Sequence, residues 1–423
     1  MTKVSFFRRI LLMKQLANTI WVVLGTRPEA IKQAPVYLEL CRMYGADAVS
    51  LIGTGQHQEL LDQALAPFGL KLDLNLAVMG RSNGLSELSA TILQEMGMYI
   101  QKYTPSCLIV QGDTSTAAMS GLAAFFQKIP VYHNEAGLRS YDNDNPFPEE
   151  INRKILTSVA TLHLAPTELS YQALLKEGVP ADKIYLTGNT GIDAMMMALK
   201  KIPSMPTLNL LRKIEESRLK PVFMTAHRRE NAGQSMNDWM DSVASYFTNH
   251  PELALVFPLH PNNLARAVAE EKLGKLSNCH LIAPLDYVDC CHVVNDCHFV
   301  VTDSGGIQEE AATLGIPVVV CRKTTERMEA VHAEIAVLAG LESAQILAAM
   351  DWANHKANSE ARAIRHIFGN GTASERIAKI IYSETSHTAL GRVILAGPPQ
   401  IKAAGVKTLN GTTNLNYSGV SHA

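Results

Sequence analysis

The stretch VVTDSGGIQEEAATLGIPVVVCRKTTER, residues 300–327, sets out one complete strand–helix–strand unit. The apolar run 299–302 predicts a buried strand, ended by Asp303-Ser304-Gly305-Gly306. Residues 307–314 mix apolar and acidic side chains as a helix does, Gly315-Ile316-Pro317 stops that helix, and 318–321 is the next buried strand. Strand, glycine turn and helix together aim free backbone N–H groups and the positive helix end at one spot, which suits a phosphate. Gly305 and Gly306 let the backbone approach a ligand closely, and Ser304 adds a hydroxyl. Glu309 and Glu310, one turn into the helix, are placed to bind hydroxyls of a sugar or ribose. Arg322 and Arg327 follow the next strand as charge partners for a diphosphate. An ordinary crossover explains the strands and the Gly-Pro stop. It does not explain why Ser-Gly-Gly, a Glu pair and two Arg crowd the same strand ends, so a nucleoside-diphosphate site is expected here.

The same alternation fills the chain upstream. Strands are predicted at 19–24, 48–52, 107–111, 130–133, 161–165 and 184–188, and the pattern restarts at 221–225, 253–258 and 280–283. Polar clusters close most of them, among them Gly25-Thr26-Arg27, Gly112-Asp113-Thr114, Asn134-Glu135-Ala136-Gly137, Ala226-His227-Arg228-Arg229 and His260-Pro261-Asn262. Thr26 is placed to cap the first helix, with Pro28 in its first turn. Residues 86–103 read as an amphipathic helix. Two sets of strand–helix units predict an α/β protein of two doubly wound, Rossmann-like parallel-sheet domains. The expected domains are 19–194 and 211–373, joined by a linker at 195–210 where Pro203 and Pro206 interrupt a helical pattern. In such sheets ligands bind beyond the carboxyl ends of the strands, so a cleft between the domains is the expected site.

A chain of 423 residues, 47% hydrophobic, is ample for two cores. Its net charge of -2 implies no general affinity for polyanions, and the dispersed basic residues form no nucleic-acid groove. No apolar run approaches the roughly 20 residues of a membrane helix, so no membrane insertion is expected. Seven cysteines, an odd number mostly inside apolar runs, fit free buried thiols in a reducing cytoplasm. In the extension 1–18 the pair Arg8-Arg9 splits the apolar block and no small-residue cleavage site follows, so a signal peptide is not expected. Residues 385–423, rich in Gly, Thr, Asn and Ser, read as a flexible tail.

Asp113, Glu135 and Glu149 arrive at neighbouring strand ends. Carboxylates in a partly closed cleft act as general acids or bases, each contributing about 10²–10⁴ in rate, although for any one alone helix capping is the plainer role. Glu149 and Arg153, four apart, would pair on one helix face. His227, in the run Thr-Ala-His-Arg-Arg-Glu-Asn after a strand, is a candidate acid or phosphate contact. Arg27 and Lys32 reach toward phosphate from the first domain. Cys279-His280, Cys290-Cys291-His292 and Cys297-His298 contain no C-x-x-C pair, so no metal site is expected. Gly25-Thr26-Arg27 lacks the three-glycine dinucleotide fingerprint.

Taken in order, the segments GTRPEAIKQAP (25–35), TGQHQELLDQ (54–63), QGDTSTAA (111–118), EAGLRS (135–140), PFPEEINR (146–153), TAHRREN (225–231), TDSGGIQEEAATLGIPV (302–318) and TTER (324–327) resemble the non-hydrolysing UDP-N-acetylglucosamine 2-epimerases. The resemblance spans about 19–381. It implies a two-domain GT-B-like fold whose C-terminal helix, near 374–382, crosses back to the first domain. It implies reversible inversion at C2 of UDP-N-acetylglucosamine to UDP-N-acetylmannosamine, by elimination of UDP to 2-acetamidoglucal and its re-addition. By motif position Asp113, Glu135, Glu149 and His227 match the family's catalytic residues. Arg27, His227, Ser304, Gly305 and Arg327 match its diphosphate contacts, and Glu310 its ribose contact; Lys32, Arg153 and Gly306 complete the expected substrate site. Bacterial members also bind a second substrate molecule as activator, at positions matching Gln56, His57, Arg81 and His260. The resemblance requires no metal or redox cofactor, and it implies a cytoplasmic homodimer serving surface polysaccharide synthesis.

Some positions depart from the family pattern. The aromatic near the uracil falls at Cys290, so stacking must come from elsewhere, with Tyr287 the candidate, or be lost. Met328 replaces a usual proline, and Ala333-Glu334-Ile335 stands where Ala-Gly-Thr is common. Three other functions stay open: a hydrolysing 2-epimerase, a GT-B glycosyltransferase, and a nucleotide-sugar-binding regulator without turnover. The full carboxylate and His set argues against the regulator, and the TTER segment with no acceptor-binding insertion argues against the transferase.

Overall fold

The computed structural model describes residues 16–55, 58–78, 84–226, 234–259, 263–340, 342–359 and 361–386. The expected activator residues Gln56, His57, Arg81 and His260, the candidate His227, the first fifteen residues and the tail after 386 lie outside the described residues.

Seven strands build the first sheet: β1 (Ile20–Leu24), β2 (Val49–Gly53), β3 (Leu74–Asn75), β4 (Cys107–Gln111), β5 (Val131–Asn134), β6 (Leu162–Ala165) and β7 (Ile184–Leu186). Six build the second: β8 (Lys220–Thr225), β9 (Leu253–Pro258), β10 (Cys279–Ile282), β11 (Phe299–Thr302), β12 (Val318–Val320) and β13 (Ala336–Leu338). Their spatial orders are β3-β2-β1-β4-β5-β6-β7 and β10-β9-β8-β11-β12-β13, so each order reverses beside its first strand. Every pairing is parallel, for example Val22 against Ile109 and Val301 against Met224. Parallel strands are covered by helices on both faces, which is why IWVVL in β1 and FVVT in β11 are apolar without alternation and wholly buried. The two doubly wound sheets are therefore as expected. The sequence reading lacked β3 and β13, both short strands at sheet edges.

The expected linker, 195–210, covers the end of the helix Thr190–Leu199, a break, and the start of the helix Met205–Glu216. Pro206 lies in the first turn of the second of these, where a missing N–H interrupts no helical bond. The break between them is pinned by Asp289, whose carboxylate accepts from both the backbone N–H and the hydroxyl of Ser204 at 2.6 Å.

Apolar packing joins the halves in two places. One apolar cluster unites Ala34, Ile192 and Met195 from the first half with Tyr287, Cys291 and Ala311 from the second. The last described helix, Ala373–Ser386, returns to the first half and buries Ile377, Ala378 and Ile381 against Ile20, Val22 and Leu40. Each isoleucine or leucine among them contributes about 1.5–3 kcal/mol when fully buried. Its amino end is capped from another helix: Asp193 accepts from the Ala373 and Ser374 N–H groups at 3.2 and 2.8 Å and from the Ser374 hydroxyl at 2.5 Å.

Candidate active site

The carboxyl ends of β1, β4 and β5 face that of β11 across the seam between the halves. Leaving β1, the chain passes through Gly25, where a Cβ would lie 2.0 Å from the Thr116 hydroxyl, so only glycine fits. The helix Arg27–Tyr44 then begins with a capping box at Thr26 and Glu29. Glu29 accepts from the N–H groups of Gly25 and Thr26 at 3.0 and 2.7 Å and from the hydroxyls of Thr26 and Thr114 at 2.8 and 2.7 Å. Burial pushes its carboxyl up to about 7 in spite of these donors. Glu29 thereby ties the turn that carries Arg27 to the turn that carries Asp113. Arg27 itself reaches over the seam and donates to the Leu285 carbonyl at 3.3 Å.

Lys32, one turn further along the same helix, lies buried between two carboxylates. Its ammonium donates to Glu135 and, at 3.0 Å, to Glu309 of the facing half. Burial alone would lower the Lys32 pKa, but Glu135 and Glu309 override it and raise it. Glu135 follows β5 with φ 64°, a left-handed conformation that costs a non-glycine residue of order 1–3 kcal/mol and marks functional sites. The side-chain amide of Gln111, at the end of β4, also donates to it. Burial raises the Glu135 pKa, and neighbouring Glu309 adds to this against the pull of Lys32 and Arg327.

Asp113 follows Gly112, whose φ is 70°. One oxygen of Asp113 accepts from Arg153 Nε and Nη2 at 2.9 and 2.6 Å, and its carbonyl accepts from Asn152 at 2.8 Å. Glu149 opens the helix Glu149–Val159 that carries both partners. Within that helix Arg153 bonds Glu150, three residues back, at 2.8 Å, where the sequence pointed to Glu149. Arg153 also reaches Glu326 of the facing half at 3.3 Å.

On the far side, the helix Gly305–Thr313 begins two residues earlier than expected, with Ser304 at its N-cap position. A Cβ on Gly305 would lie 2.6 Å from the Arg327 guanidinium carbon, so the bare backbone lets that guanidinium rest against the helix start. Gly306 has no neighbour within 4 Å of such a Cβ, and packing does not demand it. Arg327 donates to Glu309 at 2.8 Å and to Glu326 at 3.1 Å. Arg322 is buried and donates to Glu326 at 3.0 Å, so this expected diphosphate partner is part of the internal network. Burial works against ionised Glu326, yet Arg327, Arg322 and Arg153 hold it well below the usual carboxylate range.

The adjacent glutamates of this helix take different roles. Both oxygens of Glu309 engage cations, Lys32 and Arg327, in place of the sugar hydroxyls expected from sequence. Glu310 accepts from the Tyr287 hydroxyl at 2.9 Å, and burial pushes its carboxyl up to about 7. Tyr287 is itself buried, its ring 6.3 Å from that of Phe68. It anchors Glu310 from within the shared core and is not presented as a stacking surface, while Cys290 beside it is half-buried.

Asp113, Glu135, Lys32, Arg153 and Arg327 thus meet in one chain of alternating charge that crosses the seam twice. Glu150, Glu309 and Glu326 complete it, and sequence reading assigned none of these an ion-pair role. A further residue it missed is His133, buried in β5, whose ring nitrogen lies 2.7 Å from the Gly112 carbonyl. Burial lowers the His133 pKa to about 3, so it stays neutral and holds the turn before Asp113. Its only signal was a histidine inside an apolar strand. Among the described residues no three His, Cys, Asp or Glu side chains group as metal ligands, and no helix is long and apolar enough to cross a membrane.

A family model described as UDP-N-acetylglucosamine 2-epimerase matches residues 44–382. The chain is 40% identical over 334 residues to the UDP-N-acetylglucosamine 2-epimerase of Neisseria meningitidis, covering 78% of this chain and 89% of that protein. It is 39% identical over 367 residues to the Bacillus subtilis enzyme of the same name, covering 85% and 94%. A crystal structure of the Neisseria meningitidis enzyme bound to UDP-GlcNAc superposes with a TM-score of 0.79 at 38% identity, over 86% of this chain and all of that one (100%). A putative UDP-N-acetylglucosamine 2-epimerase from Listeria monocytogenes gives 0.81 at 35% identity, over 88% and 98%. The paired sheets are the GT-B-like arrangement expected from the sequence.

Proposed function

The chain belongs to the UDP-N-acetylglucosamine 2-epimerase family, and on that premise we propose that it inverts C2 of UDP-N-acetylglucosamine without hydrolysis, giving UDP-N-acetylmannosamine. The observation that carries this reading is the setting of Glu135. A buried carboxyl with a raised pKa, beside a lysine and an arginine, is suited to moving a proton where an anion must also be held.

The reaction runs in two balanced halves. A carboxylate takes the proton from C2 while the C1–oxygen bond breaks, its electron pair leaves with UDP, and a C1–C2 double bond forms in 2-acetamidoglucal. UDP then adds back at C1 while a proton is returned to the opposite face of C2. The C2 proton is barely acidic, so loss of the diphosphate runs ahead of deprotonation and its charge must be stabilised. Arg27, Arg327 and the N–H groups opening the 305–313 helix are assigned to that charge, with Ser304, Gly305 and Gly306 at the phosphate and Glu310 at the ribose. Asp113, Glu135, Glu149 and His227 are assigned to proton transfer, with Lys32 and Arg153 holding the first two. UDP must be kept in place until it re-adds, which a site closed by two domains does. The same reading assigns the activator to Gln56, His57, Arg81 and His260, and takes the protein as a cytoplasmic homodimer.

The test is proton NMR of the purified protein with UDP-N-acetylglucosamine in deuterated water. Deuterium at C2 and a UDP-N-acetylmannosamine signal rising to equilibrium are expected. Free N-acetylmannosamine accumulating with UDP would establish the hydrolysing reaction instead. Asp113→Asn and Glu135→Gln should each cut turnover by about 10² or more while UDP binding survives in calorimetry; wild-type turnover in both would remove these carboxylates from the mechanism.

A further inference from the structure

Lys32 lies between carboxylates contributed by different halves, Glu135 from the end of β5 and Glu309 from the helix opposite. These two acids are not equivalent. Glu309 also accepts from Arg327 at 2.8 Å and is almost wholly buried, so each of its oxygens has its own cation. Glu135 shares Lys32, takes the Gln111 amide, and has the Arg327 guanidinium only at 3.9 Å. Burial works against both acids, yet Lys32 and Arg327 lower the Glu309 pKa while that of Glu135 is raised. The charged groups facing this pair are Lys32 from the first helix, Arg327 from the TTER segment, and Glu310 and Glu329 beside Glu309.

We propose that Glu309 is a positioning residue that decides which acid carries the proton: by holding Arg327 and half of Lys32 it stays ionised, and it leaves Glu135 as the carboxyl that accepts and returns the C2 proton. This rests on the epimerase reading for the identity of the proton, but not for the pairing itself. Glu309 and Glu135 belong to different halves, so Lys32 is shared between them only where the two halves meet.

The test compares Glu309→Gln and Glu309→Asp by the pH profile of kcat and by carbon NMR titration of glutamate-labelled protein, with Glu135→Gln identifying the Glu135 signal. Glu309→Gln removes a like charge from Glu135 and frees Lys32 for it. The Glu135 titration and the acid limb of kcat should therefore both move to lower pH, with kcat falling on the order of tenfold. Glu309→Asp keeps the charge, so the limb and the titration should stay at their wild-type pH and part of kcat should return. A Glu135 titration unmoved by Glu309→Gln overturns the proposal. If the Gln variant does not fold, a downward shift of the Glu135 titration in the Asp variant overturns it too. Wild-type protein that fails to epimerise would sink the proposed function, while the titration would still decide the role of Glu309.

Discussion

Glu326 offers the sharpest test of how the seam is held. Its side chain is 2% exposed and is met by Arg322 at 3.0 Å, Arg327 at 3.1 Å and Arg153 at 3.3 Å. Glu326→Gln keeps the shape and one acceptor but leaves three guanidiniums around a neutral group. Removing one partner from a buried ion pair costs about 3–5 kcal/mol, and the retained amide oxygen places this substitution at about 3. For domains of this size about 1 kcal/mol corresponds to ~2–4 °C, so the first thermal transition should fall by about 6–12 °C in calorimetry. The sign with pH follows from the lowered Glu326 pKa. Its contribution is complete above the ordinary carboxylate pKa and is lost only as pH falls through the depressed folded value. The gap between variant and wild type should thus be constant across neutral pH and narrow only in strong acid. It should also survive added salt, because the charges are buried. A variant melting within about 1 °C of wild type, or a gap abolished by salt, would refute the claim that this network holds the halves together.

Two further substitutions probe the turns that carry the site. Gly305→Ala forces a methyl group against the Arg327 guanidinium and should weaken UDP by about tenfold or more, whereas Gly306→Ala meets no neighbour and should leave the melting temperature unchanged; isothermal calorimetry and thermal melts check the pair, and equal stability losses would contradict the packing argument. Burial raises Glu29 to about 7, so its contribution to stability is complete below the ordinary glutamate pKa and is lost as pH rises toward 7. Glu29→Gln does not titrate, so its stability relative to wild type should increase between about pH 4.5 and 7; urea unfolding at several pH values measures this, and parallel curves would show that Glu29 is not held protonated.

What could be read from the chain alone divides along a physical line. Strands such as 107–111, 253–258 and 299–302 were legible because a strand buried on both faces must be apolar throughout. The turns bearing Gly25, Asp113 and Glu135 were legible because backbone geometry there is local and demands small or polar residues. The two-residue β3 is too short to show a pattern, and β13 at the other edge gave no stronger signal. The ion pairs of Glu309 and Glu326 were illegible for a different reason. Their partners lie in the other half, and nothing within the helix tells Glu309, facing Lys32, from Glu310, facing Tyr287. Tyr287 is a case of the same kind: its position made it the candidate for stacking on the uracil, and only the fold shows it buried beside Phe68.

The returning helix that Asp193 caps has a consequence for synthesis on the ribosome. The first sheet leaves the exit tunnel before the second, but the apolar strip that covers part of it is encoded after both. Until Ile377, Ala378 and Ile381 emerge, Ile20, Val22 and Leu40 lack part of their cover, and the nascent first half is the segment most exposed to chaperones and to aggregation. A stop codon just before 373 would remove the capping helix with everything after it, and so uncap the domain made first while leaving the strands of the second sheet in place.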